Sequence, residues 1–441
     1  MATIESGMLM NMVRVLATIL LVGSTPAAAQ EHGGHGEPSQ PAPGLLDRVR
    51  AQEASGTAWQ PAETPMTGFH FRDQGWDFMA HAAIFAGFDW QEGDRGDNAL
   101  ISTNWIMLMG RKPLGPGEIS LRGMLTLEPW TVEERGYPLL LQNGETFNDE
   151  PLHDRQHPHD LFMELSAGWS TAVSQNFGAQ FYAAIVGEPA LGPVAFMHRF
   201  SASADPFAPL GHHWEDSTHI SWGVLTAGLF TPVVKLEGSW FNGREPDEKR
   251  IDLDLDVPDS VSVRLSVNPA PAWSFQVSTG RLDEPEALDP GVSVRRTTAS
   301  ATVAGKIDAR RSWSATAVWG RNDPSEGPAT DALLAEGVVE VDPMHTVFGR
   351  FEALRKSGRD LALDPTLDDE TFGIASLSLG YIYNFTRMQG QDIGLGLRLT
   401  ANFLDADLED AYGGRVVFGV MLFLRLRPTG STEEGAGGHH H

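Results

Sequence analysis

From Trp76 to Arg427 the chain alternates between apolar and polar positions in short runs. Trp76, Phe78, Ala80, Ala82, Ile84, Ala86, Phe88 and Trp90 hold every second place, with Asp77, Met79, His81, Ala83, Phe85, Gly87 and Asp89 between them. A period of two assigns these sets to opposite faces of a β-strand. One face is apolar and bracketed by tryptophan, as a lipid-facing strand requires, and about 9–11 residues suffice to cross a bilayer as a tilted strand. The last run repeats the pattern, with Val416, Phe418, Val420, Leu422, Leu424 and Leu426 on one face.

Strands are expected near 76–90, 98–109, 117–129, 160–173, 176–189, 219–231, 233–243, 251–268, 272–282, 293–307, 311–322, 332–342, 345–356, 371–386, 391–404 and 414–427. Their connections alternate. Segments 130–159, 190–218, 283–292, 357–370 and 405–413 are long and polar. Arg111–Pro116, Ser174-Gln175, Thr231-Pro232, Asn268–Pro271, Asp308–Arg310, Asp342–Met344 and Arg387–Gly390 are mostly short. Long loops on one side and tight turns on the other predict an all-β, antiparallel transmembrane barrel of about 16 strands rather than a soluble sandwich or propeller. An even number places both ends of the barrel on the periplasmic side. Trp76, Trp90, Trp130, Trp240, Trp273, Trp313, Trp319, Tyr381 and Tyr383 fall near strand ends, as interfacial girdles do. Glu118, Arg122, Glu128, Arg264, Arg296, Arg398, Arg425 and Arg427 are expected on the opposite face, in a wet lumen.

The first residues change the picture only at the edge. Arg14, the apolar run Val15–Val22 and Ala27-Ala28-Ala29 read as a secretory leader over 1–29, cleaved near Ala29 after Sec export; the run is too short for a membrane anchor. Residues 30–73 are expected to form a polar periplasmic extension with a short helix at Leu45–Glu53, residues 74–428 the barrel, and 429–441 a tail. No later stretch is apolar for the roughly 18 residues a membrane helix needs. With no cysteine the exported chain has no disulfide framework. A net charge of −26 argues against nucleic acid as a partner. The expected location is the outer membrane of a Gram-negative bacterium, with lipid, lipopolysaccharide and small solutes or cations as partners and a homotrimer as the candidate assembly.

Two loops are dense in functional groups. One is His153-Asp154-Arg155-Gln156-His157-Pro158-His159-Asp160, followed by Glu164. The other is His212-His213-Trp214-Glu215-Asp216-Ser217-Thr218-His219, preceded by His198-Arg199. Imidazole and carboxylate suit Zn²⁺, Cu²⁺ or Ni²⁺. His157 and His159 are two apart and point the same way if Pro158 keeps the segment extended. In a strand His212 and His213 point oppositely, so only one of them joins. The expected metal set is therefore His157, His159, His213 and His219, with Asp160 and Asp216 behind them, for Cu²⁺ or Zn²⁺. His153, Asp154, Arg155, Glu164, His198, Arg199, His212 and His81 form the surrounding loop and pore network; His81 is expected as a hydrogen-bonded wall residue. The plainer alternative is a loop scaffold of His, Asp and Arg hydrogen bonds, because no known ligand spacing occurs. No G-x-S-x-G elbow is present, so no catalytic residue is assigned and an enzyme is not expected. His32, His35 and His439-His440-His441 read as metal-scavenging tracts, the last three equally as an appended tag. Gly187-Glu188-Pro189, Asn242–Asp247 and Arg281–Pro290 read as loop structure alone.

Tyr137–Gln142, Asp154–Asp160, Gly187–Pro193 and His212–His219, within the stretch from Ser55 to Asp247, resemble a family of uncharacterised Gram-negative outer-membrane β-barrel proteins, porin-like in architecture. The resemblance implies the barrel, brings no assigned activity, and carries an association with heavy-metal efflux systems. The expectation is thus a channel for passive passage of small solutes or cations, with a His/Asp-rich loop site for a transition metal. The alternatives are a plugged surface receptor or metal-binding structural protein, and a hydrolase at the barrel rim.

Overall fold

The computed structural model describes residues 43–148, 150–308, 311–388 and 390–428. The leader, its cleavage point, His32, His35 and the tail with His439–His441 lie outside the described residues.

The expected strands form. They span Trp76–Gln91, Asn98–Leu114, Gly117–Leu125, Phe162–Ala172, Gly178–Gly187, Ser221–Phe230, Val234–Phe241, Ser260–Ala270, Trp273–Leu282, Val294–Lys306, Ser312–Pro324, Thr330–Glu340, His345–Ser357, Thr371–Met388, Gln391–Leu404 and Val416–Pro428. Each pairs antiparallel with the next in order around the wall. The last closes on the first, from Gly419 opposite Gln91 to Leu426 opposite Ile84. The sheet has 17 strands, and without Phe69–Asp73, which folds back on Trp76–Ala80, 16 make the closed barrel. Closure leaves no unpaired edge, as a lipid environment demands. The outer face carries Leu100, Leu121, Phe181, Leu236, Leu265, Val277, Leu379, Leu399 and Leu422, all exposed, with Trp90, Trp240, Trp273 and Tyr381 among them. The long loops and short turns sort to opposite ends, as the sequence predicts.

Three expectations need correction. The 251–268 strand begins only at Ser260. Ile251, Leu253, Leu255 and Val257 alternate with Asp252, Asp254 and Asp256, but the segment pairs with no neighbour and leaves all four apolar side chains exposed. Alternation marks extended backbone, and pairing is a separate requirement. The 117–129 strand ends at Leu125, and Glu128–Thr131 turns into a helix with Pro129 in its first turn. The loop 130–159 is not irregular: Tyr137–Phe147 and Glu150–Gln156 pair as a separate hairpin. The helix expected near Leu45–Glu53 is present at Leu45–Arg50.

The lumen is largely filled, which corrects the expectation of a wet interior. The segment around Ala54–Gln60 threads into the short-turn end. There Arg122 donates to the Ala54 and Gly56 carbonyls (3.1 and 2.6 Å), Arg264 to the Thr57 hydroxyl (3.0 Å) and Asn268 to the Gln60 carbonyl (2.8 Å). From the other end, the 137–156 hairpin and the loop 188–220 fold inward. Tyr137 stacks on Phe207 at 5.2 Å, and both pack with Leu140, Trp214, Phe348 and Phe423 in one apolar cluster. Wall charges stay buried by pairing with these loops. Arg350 meets Glu336 (3.0 Å) and Asp205 (3.5 Å), Arg398 meets Asp205 (3.0 Å), and Arg199 bridges Glu336 (2.8 Å) and Asp216 (2.9 Å). Removing one partner of such a pair leaves a buried charge uncompensated. Arg199→Ala is expected to lower stability by about 3–5 kcal/mol. A shift in the denaturant midpoint of the folded barrel, followed by heat-modifiable gel mobility, measures it.

Candidate functional site

The two histidine loops meet inside the lumen. His157 and His159 flank Pro158 on the chain leaving the hairpin, with ring centres 5.8 Å apart. His212 and His213 lie in the single helical turn His212–Glu215, and His219 in the 3-10 turn Ser217–His219. In a helix neighbouring side chains diverge by about 100° rather than 180°, so both His212 and His213 join. That corrects the expectation that only one would.

The five imidazoles form a closed circuit. Ring centres are 5.8 Å apart from His157 to His159, 5.4 Å from His159 to His219, 5.1 Å from His219 to His212, 5.2 Å from His212 to His213 and 5.9 Å from His213 back to His157. Phe196 sets its edge against His212 at 5.3 Å and His219 at 5.9 Å. All five rings are buried.

Each Nδ1 has an acceptor. His157 donates to the Pro158 carbonyl (3.3 Å) with Glu145 3.1 Å away, His159 to Glu128 (2.7 Å), His212 to Asp216 (2.7 Å), His213 to Glu245 (2.9 Å) and His219 to the Asp216 carbonyl (2.8 Å). A ring that donates from Nδ1 to a carboxylate or carbonyl, when neutral, leaves a lone pair on Nε2. The Nε2 atoms of His159, His213 and His219 are buried and have no partner. Imidazole held at Nδ1 and free at Nε2 is the arrangement of metal-ligating histidines.

Burial keeps most rings neutral. It pushes His212 down to about 4, His219 down to about 3, and His157 well below its usual range. His213 goes the other way: burial opposes its charge, but the Glu245 carboxylate outweighs burial and raises it. Burial pushes Glu145 up to about 8 and Asp160 up to about 7, against the pull of Arg250 on both. Burial likewise opposes ionisation of Asp216, yet Arg199 and His212 hold its carboxyl well below the usual range.

The remaining sequence candidates do other work. Asp160 faces Arg250 (3.3 Å), which also grips Glu145, so it steadies the circuit through another side chain. Asp154 accepts from the Leu141 amide (2.7 Å) and pairs with Arg95 (3.1 Å), with His153 beside it (2.9 Å); Arg155 pairs with Asp97 (2.7 Å) and Glu133 (3.0 Å). Through Arg95, Asp97 and Glu133 they tie the hairpin to neighbouring loops, away from the circuit. Glu164 accepts from Ser166 (2.7 Å) and Tyr182 (3.0 Å) on the wall. His198 contacts Met124. The Nε2 of His81 is buried without a partner, which corrects its reading as a hydrogen-bonded wall residue.

Of the carboxylates that hold the rings, the sequence placed Asp216 there but not the glutamates. Glu128 and Glu145 come from segments read as strand end and loop. Glu245 and Glu286 come from the two segments read as loop structure alone, and their donor atoms with those of His213 lie within 4.8 Å of one another. The only signal was the proximity of each to Pro or Gly turns, which does not reveal where a turn folds. A small cavity of about 10 Å³, room for about one water-sized sphere, is lined by the five histidines and Arg250. His159 also lines a larger cavity of about 270 Å³, together with Phe196.

No protein-family model matches the sequence, and no curated protein does. Three solved structures illustrate the folds it is similar to. OmpF of Salmonella typhi in complex with daunomycin is similar at 11% identity and TM-score 0.49, over 81% of this chain and 100% of that one. An anion-selective porin from Comamonas acidovorans is similar at 12% identity and TM-score 0.47, over 80% of this chain and 99% of that one. The outer membrane channel DcaP of Acinetobacter baumannii is similar at 10% identity and TM-score 0.44, over 82% of this chain and 99% of that one. At such identities and scores no site residue is carried across, and the assignment of this chain as a sixteen-stranded transmembrane barrel rests on its own strand pairing and apolar outer face.

Proposed function

We propose that the protein is an outer-membrane conduit for transition-metal cations, Zn²⁺ or Cu²⁺, with the histidine circuit as its filter. The observation that carries this reading is the circuit itself: five buried imidazoles, each fixed at Nδ1, three with an unpartnered Nε2. The five rings, 5.1–5.9 Å from their neighbours, line one small cavity of about 10 Å³, a constriction at which a cation meets several nitrogen donors. Conduction through it requires binding strong enough to admit the ion and weak enough to release it. The carboxylates behind the rings raise ligand basicity and attract the cation. His159 lines both the small cavity within the circuit and the larger one.

The test is conductance of the refolded barrel in a planar bilayer with K⁺ as the carrier, before and after micromolar Zn²⁺ or Cu²⁺. Small steps blocked by the metal, together with uptake of radioactive ⁶⁵Zn²⁺ into liposomes carrying the barrel, are the expected result. Metal binding without uptake or steps would leave a plugged metal-binding receptor, a reading the filled lumen favours. Neither binding nor block would return the histidines to scaffolding.

Gly144 gives a second check. It has φ +114°, and a Cβ there would collide with the His213 ring. Gly144→Ala is expected to displace that ring from Glu245 and weaken Zn²⁺ binding by roughly 10–100-fold, read by calorimetry on the folded barrel.

A further inference from the structure

A separate group of soft donors lies along the larger cavity. That cavity runs from His70, Asp77 and Arg111 near the short-turn ends of the strands to Glu128 and His159 beside the circuit. Five methionines (Met66, Met79, Met107, Met109 and Met197) line it, and Met107, Met109 and Met197 pack with Met124 in one cluster. The strand register places the key residues in one row. His81 stands opposite Met107, and Met107 stands opposite Met124, on three adjacent strands. Directly paired residues on one face have Cβ atoms about 4.5–5.5 Å apart.

The loop residue His198 completes the group. Its Nε2 is 3.3 Å from the Met124 Sδ, and its ring is 5.6 Å from that of His81. The Nε2 of His81 is buried and unpartnered. Trp105 packs against both rings, at 5.0 Å from His81 and 4.9 Å from His198. Nitrogen and sulfur bound tetrahedrally to one ion, at zinc-type bond lengths of about 2.0 and 2.3 Å, are about 3.5 Å apart. The separation of His198 Nε2 from Met124 Sδ is close to that value.

The donor set differs in kind from the histidine circuit. The row joins neutral thioethers and imidazoles, and the hydrogen bond of His198 is to sulfur rather than to a carboxylate. The nearby Arg122 guanidinium, anchored on the Ala54 and Gly56 carbonyls, further disfavours a doubly charged ion. Glu164 stands opposite Met124 on the next strand, but its carboxylate accepts from Ser166 and Tyr182 and faces Arg122, and thioether and imidazole donors select soft ions such as Cu(I). We propose that Met124, His198 and His81, with Met107 beside them, bind Cu(I) or Ag(I) at a site distinct from the histidine circuit. This site stands whether or not the circuit filters divalent cations.

The experiment uses the full folded barrel in detergent and Ag(I) as a redox-stable probe. Calorimetry is expected to give one Ag(I) per chain, and X-ray absorption to show sulfur as well as nitrogen neighbours. Met124→Leu, which keeps the volume, and His198→Gln, on a loop outside the wall, are each expected to weaken Ag(I) binding by roughly tenfold or more. Zn²⁺ binding should be unchanged in both. Should Met124→Leu fail to fold, His198→Gln and His81→Gln carry the test. Unaltered Ag(I) affinity in the folded variants, or nitrogen-only coordination, would overturn the site. Loss of Ag(I) binding in the circuit variants, but not in these, would assign the ion to the circuit and overturn it equally. Failure of the filter reading would appear instead as absent Zn²⁺ binding with Ag(I) binding intact.

Discussion

Replacing His157, His159, His213 and His219 together by Asn is expected to abolish block by micromolar Zn²⁺ or Cu²⁺, with a loss of affinity of at least roughly 100-fold. Asn is chosen on structural grounds. Its amide nitrogen reaches the place of the imidazole Nδ1 and can keep the hydrogen bonds to Glu128, Glu245 and the Asp216 carbonyl. What it removes is Nε2, the atom left without a partner in His159, His213 and His219. The variant therefore separates ligation from scaffolding. A purely structural role would leave metal response intact while the Nδ1 bonds persist; a filter loses metal response while the barrel still folds. Unchanged metal block and unchanged conductance in the folded variant would sink the filter.

The second large effect concerns the plug. Gly187 and Ser221 are directly paired at the ends of their strands, so a short turn can join them in place of 188–220. Excision takes out Phe207, Trp214, Arg199, Asp205 and three of the five histidines, which now fill the middle of the lumen. Glu336, Arg350 and Arg398 lose partners from the loop, but water entering the opened lumen solvates them, and the ladder of wall hydrogen bonds is untouched. Barrels of about 16 strands leave an aqueous channel when nothing obstructs it. Single-channel conductance is expected to rise by roughly tenfold or more and to lose its response to Zn²⁺. A closed barrel after excision would mean that the 137–156 hairpin and the Ala54–Gln60 segment seal it without the loop, and the receptor reading would take precedence.

The histidine loops show why part of this site was legible and part was not. His157-Pro158-His159 could be read locally, because proline restricts its own φ and the residue before it, and the two ring centres lie 5.8 Å apart. His212-His213 could not, because a single helical turn has no periodicity long enough to register. Glu245 and Glu286 lie far beyond His213 along the chain, in loops whose composition says only that they turn. The row His81, Met107, Met124 was present in the sequence but invisible, since its members belong to three strands and meet only through register.

By itself the sequence determined most of the wall: where the strands lie apart from 126–129 and 251–259, which face of each meets lipid, which end bears the loops, and that the count is even. Those features are local, because a period of two and turn residues act on neighbours along the chain. Only the tertiary structure decided what fills the barrel. The inward folding of the Ala54–Gln60 segment, the hairpin and the loop 188–220 depends on burying apolar side chains and pairing charges between residues distant in the chain, such as Arg199 with Glu336. No local pattern records such pairings, because the partners are chosen by the closed wall that brings them together.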